Sequence, residues 1–316
     1  MENSRVLLIV LVYIVGARSC LALRADDKWR PVLFSLANLT IIGILFYESV
    51  GKRRAVVFLS AYLVLIGVHF LAMRLFSGRE GWLPWLAFFS PIIALIIIKY
   101  LPLVWEPLVQ PFKLSGEAFV GISYMSLRLS YLVLEVRNHV VEKPGFWQYL
   151  GFSFFVPTFV VGPINPYSVH ERSLRRTDRE VTPKGRAALR IIVGAAKFQV
   201  LAPLFNQLSY SGLILDSHPH PPSDLVVAAV SYYLFLYCNF AGFCDMAIGV
   251  AGLLGIHERE NFQNPLAARN VRDFWNRWHI TLSDYMRDVV FTPLSKFLAG
   301  RFGIPTDHAV ALAILA

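Results

Sequence analysis

The chain has 316 residues, of which 56% are hydrophobic and only 16% charged, with a formal net charge of +9. That balance excludes a soluble globular enzyme and a disordered tail, and it is read as a polytopic helical membrane protein. The positive charge does not imply nucleic acid, because the basic residues cluster in loops between apolar segments, where Lys and Arg set topology and meet anionic lipid.

A spanning helix needs roughly 20 mainly apolar residues. Taken in chain order, the predicted spans are residues 6–23, 31–47, 55–76, 83–105, 118–136, 146–161, 187–208 and 225–256. The first is a retained helix rather than a cleaved signal, since Arg18 sits inside the only small-residue cleavage site. Residues 146–167 contain Pro157, Gly162, Pro163 and Pro166 and are expected to break, as a re-entrant segment would. Residues 168–190 carry seven Lys or Arg, namely Arg172, Arg175, Arg176, Arg179, Lys184, Arg186 and Arg190, whereas residues 209–224 carry none. The positive-inside rule places the basic loop, and the basic segment 257–307, in the cytoplasm and the neutral loop outside.

Residues 225–256 are too long for one upright helix, at roughly 1.5 Å per residue against a core of about 30 Å. They are expected to tilt, break or run past the bilayer, with Gly242 as the natural break between Asn239 and Asp245. An ionisable residue within a span is by default a functional candidate, although Asp245 and Asn239 are also suited to hydrogen-bonding across helices. Cys20, Cys238 and Cys244 form no CxxC pair and no zinc pattern, and His218 with His220 lacks a third ligand, so no metal is expected.

From 271 to 290, Val271, Phe274, Trp275, Trp278, Leu282, Tyr285, Met286 and Val289 recur at helical spacing. This predicts one amphipathic interfacial helix with Trp275, Trp278 and Leu282 buried. Asp273 and Arg277 form an i,i+4 pair on it. His279, on the flank of the apolar stripe, is the titratable group best suited to proton transfer near neutral pH.

Four blocks, in order, resemble the membrane-bound O-acyltransferase family. They are Gly121-Ile122-Ser123-Tyr124 with Ser130-Tyr131; Pro157 with Gly162-Pro163-Ile164; Asn239 through Gly249 (NFAGFCDMAIG); and Glu260-Asn261-Phe262 through Phe274-Trp275-Asn276-Arg277-Trp278-His279-Ile280-Thr281-Leu282-Ser283. They lie within residues 121–294. The branch resembled is the bacterial one, containing the alginate O-acetylation membrane protein and the D-alanyl transfer protein of teichoic acid. Asn239 departs from the Asp often found there, and Met125 and Leu127 replace aromatic residues.

The resemblance implies an all-α membrane bundle with re-entrant and interfacial helices, forming a single domain over 1–316. It implies acyl transfer, with acetyl the first choice, to a hydroxyl of an exported polysaccharide or envelope polymer. The alternatives are D-alanyl transfer from a carrier protein, and a non-catalytic remnant or helper subunit. His279 is the catalytic candidate; Asn276, Arg277, Trp278, Asn239, Asp245 and Ser123 are candidates for lining a substrate tunnel. No bound cofactor is expected, only an activated donor, acetyl-CoA or an acyl carrier, as substrate. Expected partners are membrane lipid, the acceptor polymer, a donor carrier and an extracytoplasmic O-acetyltransferase, at a plasma membrane crossed several times. The resemblance puts His279 on the cytoplasmic approach of the tunnel and makes the family's second histidine the base; that histidine would fall beyond Ala316, and His308 lacks its context. The chain is therefore expected to be truncated, with its last helices missing, and unable to transfer acyl groups alone.

Overall fold

The computed structural model describes residues 2–24, 27–100, 121–175, 183–214 and 220–303. These residues form helices and turns; the only β pairing among them is an isolated antiparallel bridge between Phe262 and Trp278. The chain divides into two compact units, Met1–Gly162 with Pro166–Glu258, and Pro163–Asn165 with Arg259–Ala316. Residues 304–316, His308 among them, lie outside the described residues.

In the first unit, helices α1 (Glu2–Leu21), α2 (Trp29–Val50) and α3 (Lys52–Phe76) follow the first three predicted spans. The junction of α2 and α3 is a single residue, Gly51, at φ +79°, a left-handed backbone that a side chain would strain. Helix α4 (Leu83–Leu95) passes into a wide π turn at Ile96–Tyr100; residues 101–105 of that predicted span lie outside the described residues. Tyr13, Ala17, Phe34, Ile41, Phe155, Ala251, Leu254 and Ile256 make one buried apolar core that ties both ends of this unit together.

Helix α5 (Ile122–Arg137) starts after Gly121, at φ +84°, where a Cβ would collide with the carbonyl of Phe159. It buries two charges that apolar periodicity does not register. Arg128 is 1% exposed, donates to Thr158 Oγ1 at 3.0 Å and to the Phe152 carbonyl, and lies 4.4 Å from the Phe152 ring centre. Its hydrogen bonds and cation–π contact offset the desolvation of the guanidinium. Glu135 accepts from the backbone N–H of Tyr167 at 2.7 Å and of Ser168 at 3.2 Å. A carboxylate thus satisfies the first amides of α7 (Tyr167–Arg175), where helix N–H groups lack intrahelical partners.

The break expected in 146–167 is present. Helix α6 (Phe146–Ser153) is two turns long, a single 3-10 turn follows at Val156–Thr158, and the chain stays irregular to Pro166.

Helix α8 (Lys184–Ala196) continues through a π turn (Lys197–Leu201) into α9 (Ala202–Gln207), one apolar stretch of 24 residues. Pro203, two residues after the π turn, has no N–H to donate, and the wide turn re-registers the ladder ahead of it. Helix α10 (Pro222–Leu254) opens with proline at its first position and closes on Gly255 in the left-handed conformation, the expected asymmetry of helix ends. It runs unbroken for 33 residues, roughly 50 Å.

The break expected at Gly242 is therefore absent. Gly242 serves packing instead: a Cβ there would sit 2.7 Å from the Gly194 carbonyl oxygen and 2.8 Å from the Phe198 nitrogen. Gly194 meets α10 in the same way, with Gly242 O at 2.6 Å from its would-be Cβ. Paired glycines let two apolar helices approach backbone to backbone, which is how helices associate without a hydrophobic driving force. Among the described residues, four helices are long and apolar enough to cross a membrane, Trp29–Glu48, Arg54–Phe76, Lys184–Gln207 and Pro222–Leu254; Leu8–Leu21 and Leu83–Lys99 are apolar but shorter.

In the second unit the single helix expected over 271–290 is interrupted. Helix α11 (Val271–Trp275) is capped by Asn270, whose side chain accepts from the Asp273 N–H at 2.8 Å. The chain then leaves the helix, and α12 (Ile280–Met286) begins after His279, which adopts φ +45°. A π turn at Arg287–Phe291 leads into α13 (Thr292–Phe302), again just ahead of a proline, Pro293. Trp275 is 55% exposed, while Trp278 and Leu282 are half-buried, so the predicted buried face is not the one the chain uses. Thr281, Asp284 and Tyr285 are buried in its place. The cause is polar: the segment pairs its backbone and buried side chains with residues 259–264, and those bonds outweigh the apolar period.

Candidate functional site: a histidine turn held by Asn261

The extended run after Glu258 makes two backbone hydrogen bonds to the turn at 276–280. Gln263 N–H donates to the Arg277 carbonyl at 3.0 Å and Ile280 N–H to the Asn261 carbonyl at 3.0 Å, and between them Phe262 pairs with Trp278 as an isolated antiparallel bridge. The ring of Trp278 packs edge-on to Phe262 at 5.1 Å and stacks on Phe274 at 5.5 Å. Those contacts pin the residues on either side of His279, so its left-handed backbone is over-determined by its surroundings. Such strain in a non-glycine residue persists where the fold imposes it, and it clusters at functional sites.

Asn261 is fully buried and is the hub. Its Oδ1 is 3.1 Å from His279 Nδ1, accepts from Thr281 Oγ1 at 2.9 Å and from the Thr281 N–H at 3.3 Å. Thr281 Oγ1 in turn accepts from the Ile164 N–H at 2.9 Å, which anchors the Gly162-Pro163-Ile164 block to the histidine turn. An amide oxygen only accepts, so the contact with His279 requires the proton on Nδ1. The lone pair of the neutral imidazole is then on Nε2. Burial lowers the His279 pKa to about 4, and a backbone hydrogen bond opposes the shift without reversing it. At neutral pH the ring is therefore uncharged, with its basic nitrogen at Nε2.

Ion pairs frame the turn. Arg259 and Arg287 both hold Asp284, the latter at 2.7 Å. Arg277 Nε donates to Asp273 Oδ1 at 2.7 Å, the i,i+4 pair expected from the sequence, and its Nη1 lies 3.4 Å from the Gln263 carbonyl. The Asp273 carboxyl is held below its usual range, first by the hydrogen bond from Arg277 and then by the Arg269 amide.

The other candidates fall as follows. Trp278, Arg277 and His279 come together in the turn, and Asn276 is an exposed residue at its start. Asp245 is on α10, where it pairs with Arg190 Nη2 at 2.9 Å and with Lys197 Nζ at 2.7 Å. It bridges α10 to the α8 stretch rather than flanking an open break. Asn239 is half-buried on α10, and Ser123 Oγ accepts from Lys99 Nζ at 3.4 Å near the start of α5. Among the described residues there is no cluster of three metal-ligating side chains. His220 lies 3.3 Å from Asp224 Oδ2, and His218 is outside the described residues.

Asn261, Thr281 and Asp284 were not singled out from the sequence. Asn261 is 18 positions from His279, a separation that no helical or strand period connects. Its only signal was its place in the ENF block.

Residues 54–303 match the model of the membrane-bound O-acyltransferase family. The chain is 28% identical over 287 residues to the teichoic acid D-alanyltransferase of Bacillus subtilis, covering 87% of this chain and 70% of that one. It is 31% identical over 225 residues to the teichoic acid D-alanyltransferase of Streptococcus thermophilus, covering 69% of this chain and 53% of the relative. With the probable alginate O-acetylase AlgI of Pseudomonas aeruginosa it shares 26% identity over 187 residues, 58% of this chain and 36% of that one. The match thus spans between about a third and seven-tenths of these relatives' lengths. With the histidine turn built from the same residues that carry the resemblance, and a family match over most of its length, the chain belongs to the membrane-bound O-acyltransferase family.

Proposed function

We propose that this protein takes part in moving an acyl group from an activated donor, acetyl-CoA or an acyl carrier, to a hydroxyl of an exported polysaccharide or envelope polymer. The observation that carries this reading is the Asn261-oriented imidazole of His279, neutral at physiological pH with its lone pair on Nε2. Acyl transfer to a hydroxyl needs a base at the oxygen as the carbonyl is attacked. The hydroxyl oxygen bonds to the acyl carbon, its proton passes to Nε2, the carbon–sulfur bond of the donor breaks, and the thiolate leaves to be protonated. Trp278, packed between Phe262 and Phe274, fixes the ring's approach. Arg277 and Asn276 present polar groups on the same turn for the donor.

The acyl group is the finer question. Acetyl transfer is the first reading. The more extensive alignments with D-alanyltransferases, 87% of this chain against 58% for the O-acetylase, favour D-alanyl as the second. On either reading the protein would sit in a plasma membrane that it crosses several times, with an acceptor polymer on the outer side and a donor or donor carrier on the inner side.

The test is a chromosomal His279→Ala substitution in the organism that encodes this chain, followed by mild alkaline release of esters from its envelope polymers. Loss of the base is expected to lower ester content by roughly 10²-fold or more, with the protein still present in the membrane. Acetate or D-alanine in the wild-type release identifies the acyl group. Unchanged ester content in the variant would remove His279 from the chemistry.

A further inference from the structure

The end of α1, the start of α2 and the end of α7 line a cavity of about 240 Å³ in the first unit. Its lining has two characters. Leu21, Phe34 and Leu174 form an apolar wall, and all three also pack in or against the buried core. Lys28, Arg30 and Arg175 bring three cations to the same space. Two carboxylates line it as well, but both are engaged by the protein: Asp27 Oδ1 accepts from the Trp29 N–H at 2.8 Å, and Glu171 pairs with Arg175 at 2.7 Å. A guanidinium has five N–H donors, so Arg175 keeps others for a ligand.

The position of the cavity matters as much as its lining. Helix α1 ends at Leu21 and α2, a helix apolar and long enough to span, begins at Trp29, so the cavity lies at the level where apolar helix gives way to polar loop. On α2, just beside it, Trp29 and Leu33 are 57% and 41% exposed, a surface suited to acyl chains with an aromatic residue at the interface. A cavity lined by apolar side chains together with cations, next to exposed apolar residues of α2, suits a molecule that is part apolar and part anionic.

We propose that this cavity holds a glycerophospholipid, its phosphodiester against Lys28 and Arg175 and the start of its acyl chains along Leu21, Phe34 and Leu174. A free phosphate would use the cations alone; the apolar wall and the adjoining exposed surface argue for the lipid.

Native mass spectrometry of the purified chain, washed in detergent and then given phosphatidylglycerol or phosphatidylethanolamine, tests this. One tightly retained phospholipid is expected. The double variant Lys28→Gln, Arg175→Gln removes two exposed cations and should lower retention roughly tenfold or more. The charge-keeping pair Lys28→Arg, Arg175→Lys should hold lipid as the native chain does, which separates loss of charge from damage to the fold. Equal retention by the native chain and the glutamine variant would overturn the proposal, leaving only lipid bound around the helices. Displacement of the lipid by inorganic phosphate or glycerophosphoglycerol at equal concentration would overturn it too, since the apolar wall would then contribute nothing.

Discussion

His279 and Asn261 set the chemistry at the scale of single residues. The contact at 3.1 Å puts the proton on Nδ1, and burial keeps the ring neutral down to about pH 4. If the imidazole acts as the base, the acid limb of kcat/KM is expected near pH 4 rather than near 6.5, because that limb reports the free enzyme's base. Asn261→Asp keeps an acceptor oxygen but places a negative charge beside the ring. It should raise the His279 pKa and move the acid limb upward, whereas Asn261→Ala should lower activity without such a displacement. A pH profile identical in the Asp variant and the native chain would show that the contact does not govern the ring. The same burial affects stability. The folded value lies below the ordinary 6.5, so the unfolded chain takes up a proton that the folded one refuses. The contribution is complete above about pH 6.5 and is lost as pH falls toward 4; solvent reaching this half-buried ring keeps it to at most roughly 3 kcal/mol. Thermal melts of His279→Gln against the native chain should therefore differ less in pH dependence above 6.5 than between 6.5 and 4.

The pairing of α10 with the α8 stretch governs the behaviour of whole elements. Gly194, Gly242 and Gly249 let the two helices meet, and a Cβ at Gly242 would lie 2.7 Å from a backbone oxygen, which cannot rotate away. Gly242→Val should force the helices apart and cost at least about 1–3 kcal/mol, read as a lower melting temperature in detergent. Asp245 ties the same pair through Arg190 and Lys197. Asp245→Leu leaves two cations without their carboxylate, and a loss of roughly 1.5–3 kcal/mol is expected. Arg190→Met with Lys197→Met added should recover part of that, since replacing a buried ion pair by apolar side chains is often neutral. A melting temperature unchanged by Asp245→Leu would show that the ion pairs contribute nothing to the packing. The histidine turn gives the contrary lesson for periodicity. The apolar period over 271–290 is real, yet α11 and α12 are separate helices, because Asn261, Gln263 and Thr281 compete for the backbone there.

For the whole molecule, topology is the property most open to test. Cysteine placed at Arg172 should react with an impermeant maleimide only from the cytoplasmic side, and at Ser223 only from outside, as the charge of the two loops requires. Labelling of both from one side would invert or break that arrangement. Helical class, apolar helices long enough to span, the broken segment at 146–167 and the location of the family blocks were legible in the sequence, because each depends on local terms. Twenty apolar residues must satisfy their backbone internally in lipid, and prolines remove donors wherever they stand. What the sequence left open depends on partners distant in the chain. Gly242 reads as a break when seen alone and proves to be a contact once Gly194 is opposite it. Arg128 and Glu135 interrupt an apolar pattern yet are buried, because Thr158, Phe152 and the first amides of α7 receive them. The left-handed turn at His279 exists only because residues 259–264 return to bond with it. Hydropathy and period add contributions residue by residue, so they find elements. A hydrogen bond across 18 or 30 positions has no value until both partners are in place, and only the tertiary structure puts them there.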